Sequence, residues 1–142
     1  MFGDLPLIAD TNVWSKVRRA PLNLRTAFGD ALREGQILGS PVIRLEWLHD
    51  AQEVEEFKRR DRLFSVGLRE LALTQTIADA AASALRELAD ISPGYHRVGL
   101  ADALIAATAQ YHGVNVLQDN PGDFSKLAEV MVFDPVRFGP VT

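Results

Sequence analysis

The sequence contains no cysteine among its 142 residues. This absence excludes disulfide bonds and any chemistry that uses a thiolate as nucleophile or metal ligand. The sequence also lacks an apolar run of about 20 residues, the length that a transmembrane helix needs. The basic start and apolar stretch of a signal peptide are missing from the N-terminal residues. We therefore expect a cytoplasmic protein that has no membrane partner.

The sequence has fewer basic residues than acidic ones. The chain has 15 Lys and Arg residues against 19 Asp and Glu residues, which gives a net charge of −4. This balance argues against a protein that holds nucleic acid through bulk positive potential. It does not exclude a nuclease, because part of the negative charge could belong to a group of carboxylates that bound cations neutralise.

The remaining composition is that of an ordinary globular protein, with 47% hydrophobic and 24% charged residues. The length predicts one domain, residues 1–142, with a proper core. Short apolar strands are predicted at residues 5–9, 36–39, 114–117 and 130–133. Helices are predicted at 13–19, 22–34, 41–48, 53–62, 76–89 and 99–111, with a short helical turn at 125–128 and an extended connector or minor strand at 71–74. This alternation predicts an α/β fold with a mostly parallel central sheet flanked by helices.

The first predicted strand stops abruptly at Asp10. In α/β sheets, ligands collect at the carboxyl ends of the strands, so this carboxylate is a candidate for a binding site. Thr11 and Asn12 offer a hydroxyl and an amide that can cap the next helix or hydrogen-bond the carboxylate. Taken alone, Asp10 is equally well explained as a helix cap or a turn residue.

Two further acids lie on predicted helices. Glu46 shares a helical stripe with Val42 and Ile43, where an ionised carboxylate is costly unless it is paired or bound to a metal. Its alternative role is an ion pair with an arginine at the helix rim. Asp102 lies in the first turn of an almost entirely apolar helix, where the helix dipole favours an anion. Its alternative role is to stabilise that dipole alone.

Asp119 and Asp123 follow the third predicted strand. The Asn-Pro-Gly between them is typical of a turn, so either could be a turn residue.

Asp10, Glu46, Asp102 and Asp119 or Asp123 can nevertheless all reach one edge of a parallel sheet. Two carboxylates about 4 Å apart repel by about 4 kcal/mol at an effective dielectric constant of about 20, so they stay ionised together only with a cation. Oxygen ligands select Mg²⁺ or Mn²⁺ over zinc. Such a site, with water left on the metal, suits phosphodiester hydrolysis.

Four segments in this order resemble the PIN-domain ribonucleases, and especially the VapC-type toxins of toxin–antitoxin pairs. They are DTNV at 10–13, IRLEWL at 43–48, LADALIAA at 100–107 and DNPGDF at 119–124. The resemblance implies a PIN-like three-layer sandwich. It also implies a metal-dependent endoribonuclease, usually a homodimer, which a small antitoxin silences by placing its tail in the active groove.

The resemblance also implies roles for individual residues. Asp10, Glu46 and Asp102 would hold one Mg²⁺ or Mn²⁺ ion that activates the attacking water, and Asp123 or Asp119 would help to hold a second ion or a metal-bound water. A further set of polar residues would support these ligands or contact RNA phosphate: Thr11, Asn12, Arg44, Arg97 and Asn120.

One position departs from the family pattern. The family commonly has Thr or Ser just after the strand that precedes its last acids, and Gln118 stands there. This change removes a hydroxyl and leaves the fourth acid ambiguous. Asn120 and the pair Asp123-Phe124 match the family pattern, so Asp123 is favoured, with Asp119 as the runner-up.

Two other classes of protein remain as alternatives. A phosphotransfer enzyme of the haloacid-dehalogenase kind would use Asp10 as its nucleophile, but such enzymes usually carry a second aspartate where Asn12 stands. The second alternative class is a non-enzymatic module that resembles a receiver domain or binds a metal. A receiver needs a lysine late in the chain, for which Lys126 is a poor candidate.

Overall fold

The computed structural model describes residues 1–4 and 6–139. Leu5, which the sequence placed in the first strand, lies outside the described residues. The strands are β1 (Leu7–Ala9), β2 (Ile37–Gly39), β3 (Arg69–Glu70), β4 (Asn115–Gln118) and β5 (Pro135–Arg137). The α-helices are α1 (Thr11–Lys16), α2 (Leu22–Arg33), α3 (Pro41–His49), α4 (Val54–Arg62), α5 (Gln75–Ile91), α6 (Leu100–His112) and α7 (Pro121–Val130). A 3₁₀ turn follows α1 at Val17–Arg19, and a π-helical turn follows α4 at Leu63–Gly67.

The strands form one sheet in the order β3-β2-β1-β4-β5, and every neighbouring pair is parallel. In the central strand, Ile8 is in register with Leu38 on one side and Val116 on the other. The sheet is thus wholly parallel, which confirms the predicted class. Because the chain runs outward from β1 in one direction and from β4 in the other, a crevice opens at the carboxyl ends of these two strands.

The central strand is covered on both faces. Leu7, Ile8 and Ala9 are each 0% exposed, and successive side chains of a strand point to opposite faces of the sheet. Helices must therefore pack on both sides, as expected for a parallel sheet. The result is a helix–sheet–helix sandwich.

Local signals in the sequence fix several helix ends. The Ser40 hydroxyl accepts a hydrogen bond from the Ile43 N–H at 3.3 Å and begins α3. The Thr74 hydroxyl does the same for Ile77 at 3.3 Å and begins α5. Gly113, with a left-handed φ of 67°, ends α6.

Among residues 1–4 and 6–139, none of the helices combines the length and the apolar character that crossing a membrane requires.

The C-terminal prediction was wrong in detail. The short helical turn at 125–128 is the three-turn helix α7, and the strand predicted at 130–133 lies later, at β5. Met131 and Phe133 are buried and Val132 is exposed, so the alternation that suggested a strand is instead the connection packing on the core. The sheet pairing goes to Pro135, which is in register with Val116.

The segment at 71–74, predicted as an extended connector or a minor strand, is the connector between β3 and α5. The edge strand β3 comes just before it and pairs in parallel with β2. The Leu71 N–H still donates to the Gly39 carbonyl at 2.9 Å, and the chain then leaves the sheet to begin α5. Hydrogen bonding to the sheet ends at Leu71. The segment is apolar because Leu71 is buried in the core.

Candidate functional site

Asp10 lies at the crevice, directly after β1. Its backbone N–H donates to the Leu117 carbonyl of β4 at 2.9 Å, and its residue surface is only 2% exposed. Burial raises the pKa of the Asp10 carboxyl to about 6; the backbone N–H groups of Thr11 and Asn12 lower it in part, and the charge of Glu46 raises it. Asp10 occupies the N-cap position of α1, and the backbone N–H groups of Thr11 and Asn12 in the first turn of that helix lie beside its carboxyl. The cap position and a place at the crevice are therefore combined in one residue.

Glu46 reaches the same edge from α3. The Thr11 hydroxyl donates to its Oε1 atom at 2.6 Å, which joins α1 to α3. Glu46 is also close enough to Asp10 for its charge to act on that carboxyl. The alternative role for Glu46 was an ion pair with an arginine at the helix rim. The arginine of this helix, Arg44, pairs instead with Glu70 of β3 at 3.0 Å.

Asp102 and Asp123 meet across the first turns of α6 and α7. The Asn120 amide lies between them, and its Nδ2 atom is 3.0 Å from Asp102 Oδ2 and 3.2 Å from Asp123 Oδ2. Burial, the charge of Asp10, and the hydrogen bond and charge of Asp123 together raise the pKa of Asp102 to about 8. Asp102 is therefore protonated at neutral pH and donates to Asp123.

Asp123 shows the opposite behaviour. Burial would raise its pKa, but the Gly99 N–H at 3.0 Å, the donors on Asp102 and Asn120 and the charge of Lys126 outweigh it and hold the pKa below its usual range. The two neighbouring acids thus divide into a protonated donor and an ionised acceptor. Such a division indicates carboxyl groups too close to be ionised together without a compensating charge.

Asp119 lies outside this arrangement. Its carboxylate forms ion pairs with Lys16 and with Arg137, the latter at 3.2 Å. These partners belong to α1 and β5. Of the two acids that the sequence left open, Asp123 is the one placed beside Asp102. We call Asp10, Glu46, Asp102 and Asp123 the acidic site.

The other predicted polar residues divide by position. Thr11 and Asn120 contact members of the acidic site, as described above. Asn12 is exposed at the start of α1, and Arg97 is exposed in the loop before α6. Arg44 is engaged by Glu70, which directs its guanidinium to the β3 edge.

Gly99 is a site residue that the sequence did not reveal. A Cβ atom added to it would lie 3.1 Å from Asp102 Oδ2 and 3.5 Å from Asp123 Oδ2. The absence of a side chain therefore lets both carboxylates approach the start of α6. Its φ of −57° is open to any residue, so no turn requirement marked it in the sequence. Only its place immediately before the helix of Asp102 could have drawn attention to it.

The fit of this site to a metal ion can be judged from its donors. Within residues 1–4 and 6–139, no three Asp, Glu or His side chains form a complete ligand set for one ion. The carboxylates instead meet in pairs, Asp10 with Glu46, Asp10 with Asp102, and Asp102 with Asp123. The donors are all oxygen, as Mg²⁺ and Mn²⁺ prefer. The proton on Asp102 reduces the negative charge of the site, and a bound cation would do the same. The donor chemistry therefore fits a hard divalent ion.

A cavity of about 650 Å³ is lined in part by residues of α1 and α3, the helices that also carry Thr11 and Glu46. We call it the basic cavity, because four arginines outnumber two acids in its lining, and one of the acids, Glu56, pairs with Arg60. Apolar and charged side chains line it together: Trp14, Phe28, Trp47 and Leu63 with Arg18, Arg19, Arg25, Arg60, Asp50 and Glu56. The Arg60 guanidinium lies 3.7 Å from the centre of the Trp47 ring, and it donates to the Trp47 carbonyl at 2.6 Å. This lining is chemically suited to a ligand with apolar and acidic groups.

Solved structures of other proteins share the fold of this chain. The solved structures similar to this chain include a DNA-bound VapBC complex from Salmonella typhimurium, with 19% identity, coverage of 95% of this chain and 99% of that chain, and a TM-score of 0.73. FitAcB from Neisseria gonorrhoeae has 25% identity, coverage of 91% and 97%, and a TM-score of 0.63. VapBC-5 from Mycobacterium tuberculosis, a member of the VapBC family of toxin–antitoxin systems, has 21% identity, coverage of 92% and 97%, and a TM-score of 0.64.

Comparison with curated protein sequences gives no significant match. The PIN domain family model, in contrast, matches residues 7–130. That span begins with β1 and ends with α7, so it includes all four acids of the acidic site. The chain belongs to the PIN domain family.

Proposed function

We propose that this protein is a metal-dependent endoribonuclease that acts as the toxin of a toxin–antitoxin pair. The observation that carries the proposal is a chain of pairwise interactions at one crevice of a PIN fold, which links the acid that follows β1 to acids on α3, α6 and α7. The similar structures described as VapBC toxin–antitoxin systems support the cellular role. Both alternatives from the sequence, a phosphotransfer enzyme and a receiver-like module, are disfavoured by the family membership.

In the proposed mechanism, Asp10, Glu46 and Asp102 hold a Mg²⁺ or Mn²⁺ ion, with Asp123 contributing to a second ion or an ordered water. When bound, the ion lowers the pKa of a water molecule and neutralises charge on the phosphate. The Thr11 hydroxyl orients the Glu46 carboxylate. Asp102 gives up its proton when the site takes up a cation, because its raised pKa comes from burial and neighbouring negative charge.

Contacts with RNA phosphate are proposed for Arg97 and Asn12. Arg97 is exposed two residues before Gly99, which itself touches the carboxyl groups of Asp102 and Asp123. Arg44 is a weaker candidate than the sequence suggested, because its guanidinium is held by Glu70.

The decisive experiment is an RNA cleavage assay with the purified chain. With Mg²⁺ or Mn²⁺ present, new RNA ends should form, and EDTA should stop their formation because the carboxylates alone cannot activate water. Re-adding the metal should restore cleavage. Cleavage that persists in EDTA would contradict the metal-dependent mechanism, and a stable acyl-phosphate on Asp10 would favour the phosphotransfer alternative.

The antitoxin is proposed to dock on the basic cavity. Its apolar floor, rimmed by Arg18, Arg19 and Arg25, matches a chain segment with apolar and acidic side chains. The cavity is lined partly by α1 and α3, so a segment seated there contacts the helices that also carry Thr11 and Glu46. Such a partner could cover the carboxylates while it binds.

Charge reversal on α2 tests this docking. Arg25→Glu should weaken binding of the antitoxin about tenfold or more, because it places like charges against each other at the rim. Arg33→Glu is the matched control, since Arg33 is exposed on the same helix but does not line the cavity. Isothermal titration of the co-encoded antitoxin measures both variants. Equal affinities would place the antitoxin elsewhere.

Three further expectations stay predictions: a homodimer, a cytoplasmic location and a single domain over residues 1–142. The first follows from the family resemblance alone. Sedimentation of the purified chain without its antitoxin would measure it directly.

A further inference from the structure

The last residue of β4 carries a buried polar side chain that the mechanism above does not use. Gln118 is 2% exposed. Its Oε1 atom accepts a hydrogen bond from the backbone N–H of Asn120 at 2.7 Å, and its Nε2 atom lies 3.5 Å from the Pro135 carbonyl oxygen. A buried amide is costly unless its polar atoms find partners, and both ends of this one do.

Asn120 behaves unusually for its position. It precedes α7, where asparagine commonly caps the helix with its own side chain, yet it makes no capping hydrogen bond. Its amide instead donates to Asp102 and Asp123. The first helical residue is Pro121, which has no N–H to satisfy. The Asn120 side chain is therefore used for the acidic site, while its backbone is held by Gln118.

We propose that Gln118 is a positioning residue, whose carboxamide oxygen fixes the Asn120 backbone so that the Asn120 amide bridges Asp102 and Asp123. A side-chain oxygen that accepts from the N–H two residues later is the bond that closes Asx and Ser/Thr turns. Gln118 makes this bond with a longer side chain, whose amide end also faces β5. It thereby supplies an acceptor oxygen at the position where the PIN-domain pattern commonly has the hydroxyl of Thr or Ser.

The bridge has a geometric consequence. One NH₂ group contacts both carboxyl groups, so the amide adds a second link to the direct hydrogen bond between Asp102 and Asp123. If the Asn120 backbone turns, the amide loses at least one of the two acids. The consequence for metal binding rests on the proposed function, whereas the bridge itself does not.

The test compares Gln118→Thr with Gln118→Val. The two new side chains have nearly the same shape and leave the same volume empty, but only threonine keeps an oxygen that can accept the Asn120 N–H. Three quantities are measured for each: the side-chain amide NMR signals of Asn120 in EDTA, the affinity for Mn²⁺ by calorimetry, and kcat and KM for RNA.

The threonine variant should keep the wild-type amide signals and an Mn²⁺ affinity close to that of the wild type. The valine variant should lose the distinct amide signals and bind Mn²⁺ about tenfold more weakly, the scale usual for residues that orient metal ligands. Its kcat should fall while KM changes little, because the RNA-contacting residues are untouched. The valine variant should also unfold a few degrees below the threonine variant, because its Asn120 N–H has lost its acceptor.

Three results separate the possibilities. Equal amide signals and equal Mn²⁺ affinities in the two variants would overturn the positioning role. An equal loss in both would also overturn it and would show that Gln118 only fills space. If the wild type cleaves no RNA but the amide signals still differ between the variants, the positioning role stands and the proposed nuclease function fails.

Discussion

Asp102→Asn is expected to abolish RNA cleavage while the chain stays folded. Asparagine keeps the shape of the side chain but cannot carry the negative charge that a divalent ion needs. The loss should be at least about 100-fold, beyond the range typical of residues that only orient a ligand. Folding should survive, because Asp102 is protonated at neutral pH in the described arrangement, and the substitution replaces a neutral group by a neutral one.

Asp119→Asn is the matched control for this prediction. It is the same chemical change at another acid after β4, but Asp119 is paired with Lys16 and Arg137 and lies outside the acidic site. Its cleavage rate should stay near that of the wild type. The rates are compared by RNA end-labelling at saturating Mg²⁺, with circular dichroism to verify folding. A folded Asp102→Asn variant with wild-type cleavage would exclude Asp102 as a ligand.

The second large effect concerns pH. In EDTA, the unfolding temperature should fall as the pH rises from about 4 to about 8. Burial raises the pKa of Asp10 to about 6 and that of Asp102 to about 8, both from an ordinary value of 3.8. Over this range the folded chain therefore holds more protons than the unfolded chain. Linkage then requires that stability decrease with rising pH until both groups are ionised.

Magnesium should reverse this trend, because the ionised carboxylates that destabilise the folded chain are the ones that bind the ion. At pH 8, a difference of about 5 °C between Mg²⁺ and EDTA is expected, which corresponds to roughly 1–2 kcal/mol for a chain of this size. Asp123 and Glu56, whose pKa values are lowered from 3.8 and 4.5, add stability as the pH rises to about 5, so they oppose the trend only at the acidic end of this window.

Differential scanning fluorimetry across a pH series measures both effects. Asp102→Asn removes the group that titrates highest, so its EDTA curve should become flat above about pH 7, where Asp10 is almost fully ionised. A wild-type unfolding temperature that rises between pH 6 and 8 in EDTA would contradict the raised pKa values of these two carboxyls.

Local patterns in the sequence were enough to locate part of the acidic site. Asp10 is marked by the abrupt end of a buried strand, and Asp102 by an acid in an otherwise apolar helix. Both signals depend on burial, which hydrophobic periodicity reports well. The order of parallel strands then brings the two residues to one crevice.

The choice between Asp119 and Asp123 could not be made in this way. The intervening Asn-Pro-Gly reads as a turn, whereas Pro121 begins a helix that turns Asp123 toward Gly99. Asp119 is drawn the other way by Lys16, which is 103 positions earlier in the chain. Contacts between such distant residues depend on the assembled fold, and no local pattern encodes them. For the same reason the sequence did not show the close approach at Gly99.

The basic cavity and the acidic site divide the helices between them. Helices α6 and α7 carry Asp102 and Asp123, α2 and α4 contribute only to the cavity, and α1 and α3 contribute to both. The proposed docking on the cavity therefore implies that substitutions on α2 and α4 change which partner is recognised and leave the four acids unaltered. Proteins of this fold would in this way diverge into mutually insulated pairs that keep one acidic site.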